Sequence, residues 1–539
     1  MKTRIPSLSC LFALAIAPAG PQAAAGEAAP GQIRSDWPSY LGQNNSFSET
    51  SGVKLIDDMT QARLVWESEE KRIGFGKAHT GYWKSPGGAN TFGDLPPGGG
   101  ASPIVAGGLV VMSYFVPSGE AYYKLAEQLL KDSFAEHKHK FLVSADDVVI
   151  AMDAATGKTR WKFVGKDKGR NWGGGKRLRD GVTPVAADGR VYAVGSIGRM
   201  YAFELATGNL LWETGPNEGL EKAKQQAIAT GQLADASAPF GWLLVHGGVL
   251  LVPAGGALRG VDPANGKVLW TANDVISGWN MPAPVKIDGE PFLACANRLG
   301  TLNLLDPKTG KTLWKHDLKC QHLTPPIFGK ELLIVFESNP KYSEPNYSGG
   351  GINSVGTLSG YRLSRSGAQR VWSLADTCAE YIAHLRCDGG PSRKIAARDG
   401  LLYLKLPLLE RKPADGVVVQ EDWGRRQSRM LAIREQDGKV LGAHETSGWS
   451  PYLWGDRLIT VTDLQHRPRG ANPEIWQMYD PDPAAFRPLG KPWHVNGNPP
   501  IHTATGGYEM LVLEAFADGF MFCRVAGGIR CYDLRAAAK

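Results

Sequence analysis

The chain has 539 residues, 43% of them hydrophobic and 21% charged, with 60 Lys+Arg against 53 Asp+Glu and a net charge of +7. This is globular composition, which excludes a largely disordered or low-complexity chain. The cations are scattered and form no stripe, so no nucleic-acid partner is expected.

At the start of the chain, Lys2 and Arg4 precede an apolar stretch, 8–17, that is too short to span a bilayer. Ala23-Ala24-Ala25 then offers a small-residue cleavage site. The expected organisation is a signal peptide at 1–25, an N-terminal extension at 26–61 and a folded domain at 62–539. No later apolar run has membrane length. The expectation is a monomer without a transmembrane segment, exported to the periplasm or secreted.

Self-similarity is the strongest signal in the remainder. Asp153-Ala-Ala-Thr-Gly157-Lys-Thr-Arg-Trp161 returns as Glu204-Leu-Ala-Thr-Gly208-Asn-Leu-Leu-Trp212. It returns again as Asp262-Pro-Ala-Asn-Gly266-Lys-Val-Leu-Trp270 and Asp306-Pro-Lys-Thr-Gly310-Lys-Thr-Leu-Trp314. A looser copy ends at Gly367 and Trp372, and a decayed one is Asp437-Gly438-Lys439. In each copy a strand meets a tight turn whose glycine can take positive φ, and the next strand carries the tryptophan. Two more strands precede each copy. Four antiparallel strands at a period of about 45–60 residues make a propeller blade.

Innermost strands are expected near residues 101, 182, 241, 281, 323, 393, 449 and 508, which gives an all-β, eight-bladed propeller of four-stranded antiparallel blades. The eighth blade lacks an outer strand, and Ala62-Arg63-Leu64-Val65-Trp66-Glu67 has the right form to supply it. An N-terminal strand would then close the ring and remove its open edges. Trp66, Trp161, Trp212, Trp270, Trp314 and Trp372 are read as inter-blade wedges with a structural role and no chemistry.

The Asp-x-x-Thr-Gly-Lys-x-x-Trp copies resemble the repeat of the pyrroloquinoline-quinone-binding-like propeller superfamily. The opening Asp36-Trp37-Pro38-Ser39-Tyr40-Leu41-Gly42 is similar to the Trp-Pro-x-x-Arg-Gly opening of secreted members. The superfamily includes quinoprotein alcohol dehydrogenases and the lipoprotein of the outer-membrane-protein assembly machinery, so the resemblance implies a fold and leaves function open. Those dehydrogenases hold pyrroloquinoline quinone (PQQ) and calcium beneath a disulfide between adjacent cysteines. This chain has no Cys-Cys pair, and no motif marks a quinone or calcium site. Some members append a haem domain, and no C-x-x-C-H motif occurs here.

Blade topology places the Asp-Gly and Thr-Gly turns on one face. The long insertions (70–100, 113–146, 166–181, 216–238, 337–356, 376–392, 407–428 and 464–473) fall on the other. Short turns opposite elaborated loops is how a scaffold carries a site. Arg170, Trp172, Trp279, Asn280 and Trp449 lie on links leading into innermost strands and are the candidate ligand-binding residues. The tryptophans would stack, Arg170 would pair with an anion, and Asn280 would orient the ligand. The histidines come singly from different loops, and His137 and His139, two apart, do not share a helix face. Residues 121–134 have helical spacing and read as a lid.

Six cysteines follow Cys10. Cys523 and Cys531 flank a turn at Ala526-Gly527-Gly528 and are expected to pair. Cys378 and Cys387 share one link and are expected to staple it, while Cys295 and Cys320 stay open. Three functional readings remain: a scaffold binding a small molecule, glycan or protein at the channel mouth, a PQQ-dependent dehydrogenase, and a carbohydrate-active hydrolase or lyase.

Overall fold

The computed structural model describes residues 33, 35–71, 73, 101–121, 142–170, 181–215, 240–254, 257–276, 281–297, 299–318, 325–338, 355–381, 383–384, 394–408, 428–446, 450–461, 476–493, 513–525 and 528–537. Eight antiparallel sheets follow in chain order: blade 1 (104–170), blade 2 (185–214), blade 3 (244–272), blade 4 (283–317), blade 5 (327–373), blade 6 (396–445), blade 7 (450–493) and blade 8 (513–533). Each has four strands in up-and-down order. Blade 5 gains the two-residue strand Ala383–His384, and Gly181–Thr183 pairs in parallel with Phe240–Trp242 between blades 2 and 3.

Alternation explains the blades. Along Arg190–Val194 and Met200–Glu204, aromatic and β-branched side chains point from both faces of the sheet into neighbouring blades. The connection Asp188-Gly189 is a tight turn with both residues at positive φ, 50° and 72°.

The six tryptophans act alike. Each indole N–H donates to a main-chain carbonyl in the turn of the next blade: Trp66 to Ala154, Trp161 to Leu205, Trp212 to Pro263, Trp270 to Pro307, Trp314 to Ser364 and Trp372 to Glu435, at 2.6–3.1 Å. In five of the six the repeat glycine lies under the indole. A Cβ on Gly157, for example, would stand 2.5 Å from Trp66. Blade 5 is the exception: its last hairpin turns tightly at Arg365-Ser366, and a Cβ on Gly367 would meet nothing, so no glycine lies beneath Trp314.

The ring closes as expected. Arg63–Glu67 pairs antiparallel with Gly528–Asp533 and is the outermost strand of blade 8. Arg63 reaches Asp533, Arg530 reaches Glu67, and Trp66 docks on blade 1.

Two expectations need correction. Residues 113–121, 142–146, 166–170, 337–338 and 355–356 are strand and not loop, because blade 1 extends its strands to Leu109–Ala121, Leu142–Asp153 and Thr159–Arg170, which takes Arg170 off the expected link, and blade 5 extends Leu333–Ser338 and Val355–Ser364. Residues 122–141, the rest of the 113–146 insertion, lie outside the described residues. Cys523 and Cys531 are both free and buried. The hairpin pairs Val525 with Gly528, so Cys523 stands opposite Arg530 and Cys531 opposite Phe522. The two thiols therefore point to opposite faces of the sheet. Cys378 is also free, with its Sγ 3.8 Å from Glu380 Oε1, and Cys387 lies outside the described residues.

Candidate functional site on the propeller axis

The extension 35–58 does not run along the outside of the propeller. Its main chain bonds to the innermost strands of four blades: Trp37 exchanges two bonds with Val105, Pro38 accepts from Ala186, Ser46 from Ala397 and Phe47 from Leu453. Side chains hold it to the short-turn face. Asp36 accepts from Gly107 N, Ser35 and Asp518 exchange bonds at 2.8 Å, and Asp456 accepts from Leu55 N. Blades 1, 2, 6 and 7 sit on different sides of the ring, so a segment bonded to all four must cross the axis. It closes the floor of the channel.

The crossing segment is apolar where it meets the axis. Trp37, Tyr40, Leu41 and Phe47 are buried. Trp37 packs edge-on to Phe516 at 5.4 Å, and Tyr40 stacks on Trp242 at 4.5 Å. Gly42 has φ 79° and lies against the Trp37 ring, where any Cβ would come within 2.7 Å.

Above this floor sits a buried ion pair. Lys394, which leads into the innermost strand of blade 6, places Nζ 3.2 Å from Oε1 of Glu514 on the innermost strand of blade 8. Only blade 7 separates blades 6 and 8, so the two groups meet over the inner edge of blade 7. Tyr452, from blade 7 between them, donates its hydroxyl to the same carboxylate oxygen. The ammonium group lies 4.0 Å from the Tyr452 ring centroid and 5.1 Å from those of Tyr40 and Phe47. Burial pushes the Glu514 carboxyl well above its ordinary range and the Lys394 amine well below. Glu514 Oε2, Tyr40 Oη and Trp242 Nε1 have no hydrogen-bond partner among the described residues. Buried polar groups normally find partners, so these three atoms mark a place where water or a guest's polar groups belong.

Other buried carboxylates are spent on the fold. Asp147 accepts from Ser196 N, Ser196 Oγ and Tyr201 Oη, each at 2.9 Å, and so joins blade 1 to blade 2. Glu435 accepts from the backbone of Lys330, Glu331 and Leu332 and joins blade 6 to blade 5.

Of the residues expected to bind ligand, Trp172, Trp279, Asn280 and Trp449 lie outside the described residues. Arg170 is placed as the last residue of Thr159–Arg170, with its main chain opposite Ser144. The axial cluster was missed. A glutamate inside the apolar run Leu511-Val-Leu-Glu514-Ala-Phe516 was the available signal, since an unpaired charge there would be costly.

The resemblance implies PQQ and calcium in such a channel. Among the described residues no three His, Cys, Asp or Glu side chains gather to hold a metal ion. Glu514 is already engaged by Lys394 and Tyr452. This donor set does not fit the quinone–calcium group, and no chemical step is derived through it. Among the described residues, no helix is long and apolar enough to cross a membrane.

A family model described as outer membrane protein assembly factor BamB matches residues 51–229 and 254–450. No curated protein matches the chain. Among solved structures, quinohemoprotein alcohol dehydrogenase from Comamonas testosteroni aligns with TM-score 0.50 at 13% identity, over 95% of this chain and 82% of that one. BamB from Moraxella catarrhalis aligns with TM-score 0.42 at 11% identity, over 72% of this chain and 93% of that one. Identities this low speak to the fold alone.

Proposed function

The chain belongs to the family described as outer membrane protein assembly factor BamB, within the PQQ-like propellers, and from this premise we propose that it is an exported scaffold that binds another polypeptide. The family membership is the observation that carries the reading, since the matched model is named for an assembly factor and not for a catalyst. The closed floor supports it, because a partner can then reach the axis only from the elaborated face. On that face Trp172, Trp279 and Trp449 would offer stacking surfaces, Arg170 an anion contact and Asn280 orientation. The basic and apolar leader at 1–25 supports a periplasmic location.

Photo-cross-linking residues at 172 and 279, introduced in cells that export the chain, test the reading. A discrete covalent adduct with one other protein is expected at both positions. Bound quinone in the natively purified protein, together with calcium-dependent dye reduction in the presence of an alcohol, would overturn it.

A further inference from the structure

Lys394 brings a primary amine to the axis in surroundings that make it a nucleophile. Its Nζ lies 4.0 Å from the Tyr452 ring centroid and 5.1 Å from those of Tyr40 and Phe47. Burial holds it towards the uncharged form, whose nitrogen lone pair is free to attack. Exposed lysines lack this condition, because water keeps their ammonium groups charged.

The polar atoms around it that lack partners among the described residues are of one kind. Trp242 Nε1 can only donate, and burial, with the nearby Glu514 carboxyl, keeps the Tyr40 hydroxyl protonated. The two rings stack at 4.5 Å, so both donors belong to one wall. Glu514 Oε1 already takes bonds from Lys394 and Tyr452, and burial pushes this carboxyl towards its protonated form, with Oε2 the oxygen left to carry the proton. Amine and carboxyl balance, so charge selects neither an anion nor a cation. Three donors beside an uncharged amine suit an oxygen acceptor borne on an electrophilic carbon, which is a carbonyl group.

Access is from one side. Lys394 precedes Ala396–Arg398, the innermost strand of blade 6, at its elaborated-face end, and its side chain is 8% exposed against 1% for Glu514. The floor shuts the other end, so the guest must be compact. We propose that Lys394 is a covalent docking point for a small aldehyde or ketone, held by its oxygen on Tyr40 and Trp242 and bound as an imine. The nitrogen lone pair attacks the carbonyl carbon, a C–N bond forms, and the carbonyl π electrons move to oxygen, which takes the proton of Glu514. The carbinolamine then loses that oxygen as water, which carries off both amine hydrogens in net and leaves C=N. Glu514 passes the protons from nitrogen to oxygen and ends as it began. Nothing is oxidised or reduced, and hydrolysis reverses the step.

The test incubates the full chain at neutral pH with propanal and sodium cyanoborohydride, which reduces an imine to a stable secondary amine. Peptide mapping then reads each lysine over time. Marking of Lys394 should saturate with propanal and run at least about tenfold faster than marking of the exposed Lys308. Tyr40→Phe keeps the ring and removes only a hydroxyl, so the melting temperature should hold while the half-saturating propanal concentration rises about fivefold. Glu514→Gln leaves the amine in place and should slow the marking by about tenfold or more. The mark is read without any partner protein, so this proposal and the scaffold reading can fail separately. Marking of Lys394 no faster than that of Lys308, or marking that begins only on unfolding, would overturn the proposal. So would an unchanged half-saturation in Tyr40→Phe or an unchanged rate in Glu514→Gln.

Discussion

The indole nitrogen of Trp66 donates to the carbonyl oxygen of Ala154 at 3.0 Å, and Gly157 lies flat beneath the same ring. One tryptophan thus fastens the closing strand of blade 8 to the turn of blade 1. Replacing Trp66 by alanine removes a buried indole and its bond, and should cost about 3–5 kcal/mol in chemical denaturation. Deleting residues 26–69 goes further. It leaves blade 8 with an open edge and the channel without a floor, and light scattering should report aggregation. A soluble deletion variant with the parent's melting temperature would contradict this account of closure.

Acid should loosen that strand first. The hydrogen bond from Lys71, helped by the charge of Arg530, holds the Glu67 carboxyl below its ordinary value of 4.5. A depressed value means the contribution is complete above pH 4.5 and fades as the pH falls through the lower, folded-state value. Glu67 is 42% exposed, so solvent screens the effect. Hydrogen exchange at 63–67 should accelerate below pH 4.5 before exchange at 301–305 in blade 4 does.

The axial pair should behave as a unit. Lys394→Met alone leaves the buried Glu514 carboxyl without its amine partner, and Glu514→Gln alone leaves the buried amine without its carboxyl, each costing at least about 1–3 kcal/mol. The double variant should lose less than the sum of the two, a coupling that a double-mutant cycle reads directly.

The thiols of Cys523 and Cys531 should be free but unreactive. Burial pushes both well above the ordinary thiol range. Alkylation should modify them only after unfolding, and a reductant should leave the melting temperature unchanged. Peptide mapping that finds the two linked would show the hairpin register to be wrong.

The blades were readable because four of them repeat one chemical instruction, a turn glycine four residues before a wedge tryptophan, as at Gly157 and Trp161, and the spacing of those copies frames the rest. Closure by Arg63–Glu67 was readable for the same reason, since that strand is the missing half of a repeat. The pairing of Cys523 with Cys531 was misjudged by a single residue of turn length, enough to turn a side chain to the other face. The floor left no such trace. Trp37 and Phe47 sit in a stretch without alternation, and the partner of Ser46 is 351 residues away. A contact set by the geometry of the whole ring has no local pattern to announce it.

The closing strand also fixes when the protein can finish folding. Arg63 and Asp533 are 470 residues apart, so the strand emerges long before the sheet that receives it. Joining ends that far apart costs loop entropy that no earlier blade can recover, and long-range pairing of this sort is slow. Until the last hairpin has been made, Leu64 and Val65 lie on an unpaired strand and Trp37 has no Phe516 to pack against. The vulnerable period for this chain is therefore the interval between the delivery of its first strand and its last, when proteases and neighbouring unfinished chains compete for the same edge.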